Sequence, residues 1–233
     1  MSDERAFFQL RNVSKVYRTG TVETTALANV SLDIREGEFV GVMGPSGCGK
    51  STLLSIVAML DTPSTGCYAL GGVDVSGASE DRLTEIRKGN IGFIFQSFML
   101  IDDLSVYENV ELPLLSLNVP RMKRQRRVRE MLELVGLQHR AKHRPVQLSG
   151  GQQQRVAIAR AVVGDPRLIV ADEPTGNLDS CHGEDVMDML TTLHQQGTTI
   201  LMVTHSAAHA SRAGRVLHLL DGRLVADSAP AAA

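Results

Sequence analysis

The sequence contains no tryptophan, and aromatic residues make up only 4% of its 233 positions. So few ring faces argue against a surface that stacks unpaired bases, the usual device of single-strand nucleic-acid binding. Neither sign of charge is in excess: 24 Lys and Arg stand against 26 Asp and Glu, a formal net charge of -2. That balance calls for no polyanionic partner, and no nucleic acid is expected. Only three cysteines occur, Cys48, Cys67 and Cys181, at spacings that form no pair. An odd count without a framework points to a reducing compartment. Met1-Ser2-Asp3-Glu4-Arg5 leads into no apolar leader. The longest apolar stretches, such as Leu53 to Leu60, fall far short of the roughly 20 residues of a membrane-spanning helix. The expectation is a cytoplasmic protein whose membrane role, if it has one, runs through a partner.

What is present fits a globular chain, with 43% hydrophobic and 21% charged residues. The length suits one large domain carrying a subdomain. One basic run stands out, where Arg121, Lys123, Arg124, Arg126, Arg127 and Arg129 crowd together. It reads as a solvated helix face or as a face near anionic lipid headgroups.

Residues 7–43 read as strands. Phe8 to Val13 and Val30 to Ile34 alternate, and Glu36-Gly37-Glu38 marks a turn. Phe39-Val40-Gly41-Val42-Met43 is a continuous apolar strand of the buried kind. A glycine-rich loop follows, then a helix over Ser51 to Leu60. Short strands are expected at 67–75 and 91–95. From about 97 to 163 the pattern turns helical, with Leu132, Val135 and Leu137 on an apolar face and Gly136 and Pro145 as punctuation. Leu168 to Ala171 and Thr199 to Val203 read as strands, 182–195 as a helix, and Asp221-Gly222 as the turn of a last hairpin. Alternating strands and helices predict an α/β core with a parallel sheet. A single domain is expected over 5–225, with a frayed tail at 226–233.

Gly44-Pro45-Ser46-Gly47-Cys48-Gly49-Lys50-Ser51-Thr52 follows a buried strand and opens a helix. This is the phosphate-loop pattern at every fixed position. Its glycines let successive N–H groups face phosphate oxygens, and the helix N-terminus adds partial positive charge. Lys50 is expected on the β- and γ-phosphates of ATP, and Ser51 on Mg²⁺. Cys48, inside the loop, reads as a reactive thiol or as a small buried filler. Leu168-Ile169-Val170-Ala171-Asp172-Glu173 is an apolar strand ending in two acids. Asp172 suits a Mg²⁺ partner and Glu173 a general base for the attacking water.

Leu148-Ser149-Gly150-Gly151-Gln152 opens another predicted helix and forms a second anion site. Here the sequence resembles the ATP-binding subunits of ABC transporters, from about residue 8 to 225. The resemblance implies a phosphate-loop NTPase core with an antiparallel β-subdomain and an inserted helical subdomain at about 97–163. It also implies that Ser149, Gly150, Gly151 and Gln152 cap the ATP held by a second copy, making a head-to-tail homodimer around two Mg-ATP. Gln96 matches the loop that senses Mg²⁺ and the membrane partner, and Asn177-Leu178-Asp179-Ser180 the loop that crosses the dimer interface, placing Asp179 in trans. His205 matches the switch histidine on the γ-phosphate. Tyr17 matches the adenine-stacking aromatic, against the plainer reading of a packed strand residue.

Gly92 to Phe98, Tyr107 to Leu114 and Ala171 to Asp179 resemble the branch serving lipoprotein release and macrolide export. That branch implies an ATPase attached peripherally to the inner face of the plasma membrane through an integral permease. The apolar run Phe98-Met99-Leu100-Ile101 is expected at the permease-docking surface, or else in the subdomain core. An alternative within the resemblance is an ATP-dependent signalling scaffold of the cell-division type. Ser206 stands where the family usually has Asp, and Cys181 where Thr or Ser is common. Neither departure touches an expected phosphate contact.

Overall fold

A computed structural model describes residues 6–228. Two long strands, β1 (Phe8–Thr19) and β2 (Val22–Ile34), pair antiparallel at the start. Their register shifts between Leu10 and Val13, around Asn12 at φ 51°. Asparagine is one of the few side chains that accept this left-handed conformation. Next come β3 (Phe39–Met43), α1 (Lys50–Val57), β4 (Thr65–Leu70), β5 (Val73–Asp74), α2 (Glu80–Arg87) and β6 (Ile91–Phe95). The helical segment holds α3 (Val106–Ser116), α4 (Arg121–Leu134) and α5 (Gly150–Val162). The chain closes with β7 (Leu168–Asp172), α6 (Ser180–Gln195), β8 (Thr199–Val203), α7 (Ala207–Ala210), β9 (Arg215–Leu220) and β10 (Arg223–Ser228).

The strands form two sheets. An antiparallel one runs β2-β1-β4-β5, and a six-stranded one runs β10-β9-β3-β8-β7-β6. In the second, β9, β3, β8, β7 and β6 are parallel, and β10 is an antiparallel edge. Alternate residues of the parallel strands serve two cores. Val40, Val42, Val170, Leu201 and Val203 pack with α1 and the antiparallel sheet. Ile169, Ala171, Ile200 and Met202 pack with α6 and the helical segment. Burial on both faces is why these strands read as unbroken apolar runs. Leu132, Val135 and Leu137 are all buried, as the apolar-face pattern requires.

Four details differ from the sequence expectation. Helix α2 was not anticipated, because only Leu83 on it is buried; Ser79 caps it, accepting from Arg82 N–H at 3.3 Å. Helix α1 stops at Val57 rather than residue 60, where Met59 turns to φ 56°. Helix α6 starts at Ser180, two residues early, under an Asp179 cap. Finally, Ala226, Asp227 and Ser228 belong to β10 instead of a frayed tail, and Asp227 Oδ2 pairs with Arg215 Nη2 at 2.6 Å. Residues 229–233, like 1–5, lie outside the described residues.

Parallel strands end at one edge of their sheet. The loops after β3, β6, β7 and β8 therefore converge, bringing residues 44–51, Gln96, Asp172 with Glu173, and His205 to one side. Among the described residues, no helix is long and apolar enough to cross a membrane.

Candidate active site

The loop after β3 wraps the start of α1. Lys50 is the first helical residue, and its Nζ donates to the carbonyls of Gly44 and Pro45, each at 2.8 Å. Gly49, the N-cap, sits at φ 104°, where a Cβ would lie 2.3 Å from the Ala26 carbonyl oxygen. Only glycine fits both the angle and the space. The loop is braced from behind: Gly222 N–H donates to the Cys48 carbonyl at 2.9 Å, and Ala28 N–H to the Gly222 carbonyl at 2.8 Å. Cys48 is 4% exposed. A Cβ on Gly44 would approach its Sγ to 2.7 Å, so the thiol fills the underside of the loop as a small buried side chain. Ser46 and Gly47 are exposed at the tip, and Ser51 and Thr52 lie on the first turn of α1.

Asp172 ends β7 beside this turn and lines the same small hollow as Ser51. Burial pushes its carboxyl pKa up, with the Glu173 charge adding; the Ser51 hydroxyl and the Lys50 charge oppose the shift. Glu173 follows at φ 45°, outside the regions a non-glycine residue favours. Its Oε2 meets His205 Nδ1 at 2.9 Å and accepts from His205 N–H at 3.3 Å. The His205 ring itself is 74% exposed at the mouth of the site.

Gln96 does not face this cluster. Its Nε2 donates to Asn177 Oδ1 at 3.2 Å, and Asn177 Nδ2 returns a bond to the Gln96 carbonyl at 3.0 Å. Thr175, in the same loop, is held from the other side by His209 Nδ1 at 3.0 Å. The segment from Glu173 to Asp179 is thus clamped between the loop after β6 and α7. Asn177, Thr175 and His209 had not been assigned these contacts from sequence. Ser206 caps α7 by accepting from His209 N–H at 3.3 Å, which is what the residue in the usual Asp position does here.

Ser149 to Gln152 stand apart from the phosphate loop. Ser149 caps α5 and forms a capping box with Gln152: Ser149 Oγ accepts from Gln152 N–H at 3.3 Å, and Gln152 Oε1 from Ser149 N–H at 3.1 Å. Gly151 faces α6, where a Cβ would lie 2.5 Å from His182 Cδ2. His182 in turn meets Asp179 Oδ2 at 2.7 Å. The His182 N–H, then its ring, hold the exposed Asp179 carboxyl below the usual range. Tyr17, 42% exposed on β1, donates its hydroxyl to Asp61 Oδ2 at 3.0 Å, with Lys15 Nζ 5.0 Å from its ring centroid.

The donor set suits a nucleotide with its metal. Among the described residues, no three His, Cys, Asp or Glu gather as a self-sufficient metal cage. Mg²⁺ normally needs none, being held by one or two protein oxygens, waters and substrate phosphates. Ser51 and Asp172, lining one hollow, offer that minimal set.

Beside the Gln96 loop lies a groove of about 430 Å³ lined by Phe93, Phe95, Met99, Leu112, Pro113 and Leu117. Phe93 and Phe95 stack, with centroids 5.6 Å apart. Phe98 and Met99 both have positive φ, at 61° and 51°, and Arg160 Nη2 donates to the Phe98 carbonyl at 2.8 Å. Of the expected docking run, Met99 and Ile101 are 58% and 47% exposed, whereas Leu100 packs on the core. Buried Asn109 organises the loop, accepting from Ile101 N–H at 2.8 Å and donating to the Ile101, Leu104 and Ser105 carbonyls.

Comparison with known proteins shows the family and the fold. The family model described as ABC transporter matches residues 27–176. An uncharacterized ABC transporter ATP-binding protein of Thermotoga maritima is 48% identical over 93% of this chain and 92% of its own length. The macrolide export ATP-binding/permease protein MacB of Brucella melitensis is 46% identical over 94% of this chain, which spans only 34% of that protein. Among solved structures, the ATP-binding cassette MJ0796, in a dimeric post-hydrolysis state bound to ADP and Pi, superposes with a TM-score of 0.90 at 43% identity. That match covers 97% of this chain and all of the other.

Proposed function

The chain belongs to the ABC transporter family of ATP-binding subunits and is an ATPase, and from that premise we propose how its residues divide the work and what they drive. The observation that carries the reading is the convergence of the phosphate loop, the Asp172-Glu173 strand tip and His205 at one sheet edge, with Ser149–Gln152 displayed elsewhere on the same chain.

In this reading the backbone N–H groups of Gly44 to Ser51 cradle the triphosphate, and Tyr17 stacks on the adenine. Lys50 exchanges its two loop carbonyls for phosphate oxygens, which compensates its charge better. Ser51, Asp172 and, after turning from Asn177, Gln96 hold Mg²⁺, which neutralises phosphate charge when bound. Glu173 accepts a proton from the attacking water, and His205, tethered to that carboxylate, reaches the γ-phosphate. In this division Glu173 takes the proton and His205 supplies orientation. Ser149, Gly150, Gly151 and Gln152 complete the site of a second copy, with Asp179 at the shared boundary, so the working unit is a head-to-tail homodimer.

The partner proposed is an integral permease of the lipoprotein-release or macrolide-export type, which would hold the chain at the inner face of the plasma membrane. The MacB similarity supports this type, and the apolar groove beside Met99 supplies a place for it. Met99→Glu is expected to abolish co-purification with such a permease while ATP-driven dimerisation persists.

Glu173→Gln tests the core of the proposal. The substitution keeps the size and removes the base, so turnover should fall about 10²–10⁴-fold while ATP holds a stable dimer. Phosphate release and size-exclusion chromatography with ATP read the two effects. A variant that stays monomeric, or that hydrolyses at the wild-type rate, rejects the assignment.

A further inference from the structure

Helix α4 is charged against its own dipole. A helix gains from acids near its N-terminus and cations near its C-terminus. On α4 the order is reversed: Arg121, Lys123, Arg124, Arg126, Arg127 and Arg129 take six of its first nine positions, the first turn has no acid, and Glu130 and Glu133 come near its end. No side chain caps its N-terminus. Two of the cations are used internally. Arg124 pairs with Glu111 at 2.8 Å and donates to the Val119 carbonyl, and Arg127 pairs with Asp165 and donates to the Val163 carbonyl. The rest point to solvent. Arg121, Lys123 and Arg129 are exposed and form no ion pair among the described residues, and Arg126, 76% exposed, reaches Glu130 only at 3.5 Å.

Between these cations stands Met122, 77% exposed, the most exposed large apolar side chain among the described residues. Met122, Arg126 and Arg129 recur at intervals of four and three and so share one face of the helix. Lys142, also exposed, lines a surface hollow together with Arg129. An apolar side chain ringed by long cations suits the boundary between headgroups and acyl chains, where charges stay in the polar layer and the methionine enters below it.

Position supports the same occupant. The Arg124–Glu111 pair fixes the start of α4 to α3, and Leu112, Pro113 and Leu117 at the end of α3 line the groove beside Met99. If a permease sits on that groove, the first turns of α4 lie beside the bilayer it crosses. We infer that the exposed face of α4, centred on Met122, Arg126 and Arg129, docks on an anionic phospholipid surface. The inference rests on the proposed permease partnership only for where the face points.

Each cation near an anionic surface contributes about a fivefold gain in partitioning, so four supply on the order of 10³-fold. That is marginal anchoring for the chain alone, seen only at millimolar lipid. It is enough to fix its tilt once a permease raises the local concentration.

The full chain is pelleted with vesicles of phosphatidylcholine alone, and with vesicles one-third phosphatidylglycerol, at millimolar lipid. The expected result is binding to the anionic vesicles only, lost as salt rises. R126Q with R129Q should weaken it roughly 25-fold, at about fivefold per cation. R126K with R129K should bind as wild type, and all variants should keep ATPase activity and ATP-driven dimerisation. Equal pelleting with both vesicle types overturns the inference, as does a double Gln variant that binds normally. ATP-driven dimerisation, measured without lipid, fails or survives independently, so loss of vesicle binding is not confused with loss of the ATPase reading.

Discussion

Two helix N-termini in this chain are proposed as anion sites, and they are built differently. Helix α1 begins at Gly49 in a left-handed conformation with no side-chain cap. Helix α5 begins at Ser149 in an extended conformation inside a closed capping box. Every helix N-terminus has four N–H groups without intrahelical partners. At α5 the protein satisfies one of them itself, through Ser149 Oγ. At α1 no side chain does so, and the one nearby cation, Lys50, is parked on loop carbonyls. The first end has no side-chain cap and is braced by the β9–β10 hairpin turn. The second is stable alone, and its remaining donors can only add to an anion held elsewhere. The difference predicts a division of labour: α1 sets how tightly one chain holds nucleotide, and α5 sets whether two chains close on it.

The sharpest break in that comparison is Lys50→Ala. Hydrogen bonds to charged groups contribute about 1.5–3 kcal/mol each to stability, so ATP affinity should fall at least tenfold to a hundredfold. The fold should survive, since the Lys50 side chain contacts only two loop carbonyls. Calorimetry on the isolated chain reads the effect; unchanged affinity would remove Lys50 from the phosphate site.

A smaller effect of the opposite kind is expected for Gly151→Ala. The added Cβ would lie 2.5 Å from His182 Cδ2 and 2.8 Å from Cγ. Overpacking of this sort typically costs about 1–3 kcal/mol. Relief requires the His182 ring to move, which disturbs its bond to Asp179 on the proposed dimer boundary. ATP binding by a single chain should stay normal, while ATP-driven dimerisation of an otherwise identical Glu173→Gln protein should weaken. Equal loss of both properties would erase the distinction between the two helix ends.

How much of this could be read beforehand follows from how local each signal is. The phosphate loop and the Asp172-Glu173 tip are short runs whose backbone role needs glycine or acid at fixed offsets, and the parallel strands are apolar pentapeptides. Each declares itself within ten residues. Helix α2 did not, because one buried Leu83 makes no periodic stripe. The clamp on the Glu173–Asp179 segment did not either: Gln96 and Asn177 are 81 positions apart, Thr175 and His209 34. Nothing near His209 distinguishes it from any other helix-start histidine until α7 is seen against α6. Cys48 is open between reactive thiol and filler because sequence places it at a helix N-terminus, whereas its burial beside Gly44 in the core shared with Leu219 is set by distant elements. The end of β10 was misread for a related reason: Ala226-Asp227-Ser228 looks frayed by composition, and only the Arg215 pairing across β9 holds it.

The finest test of the two-helix comparison is Ser149→Ala. In one protomer Ser149 Oγ has a single described partner, the Gln152 N–H. Losing an N-cap hydroxyl costs about 1 kcal/mol of stability. The midpoint of thermal unfolding should therefore drop by a few degrees at this chain length. If capping were its whole role, ATP-driven dimerisation would follow that small loss and nothing more. If Ser149 also touches the nucleotide of the second chain, dimerisation should weaken by more than the roughly fivefold that 1 kcal/mol represents, with ATP affinity of the monomer untouched. Ser149→Asp separates the two roles. Aspartate is as good a cap as serine, so stability is restored, but it places a negative charge against the partner's triphosphate, and dimerisation should be lost. An Asp variant that is stable and still dimerises on ATP would leave Ser149 as a cap and nothing else.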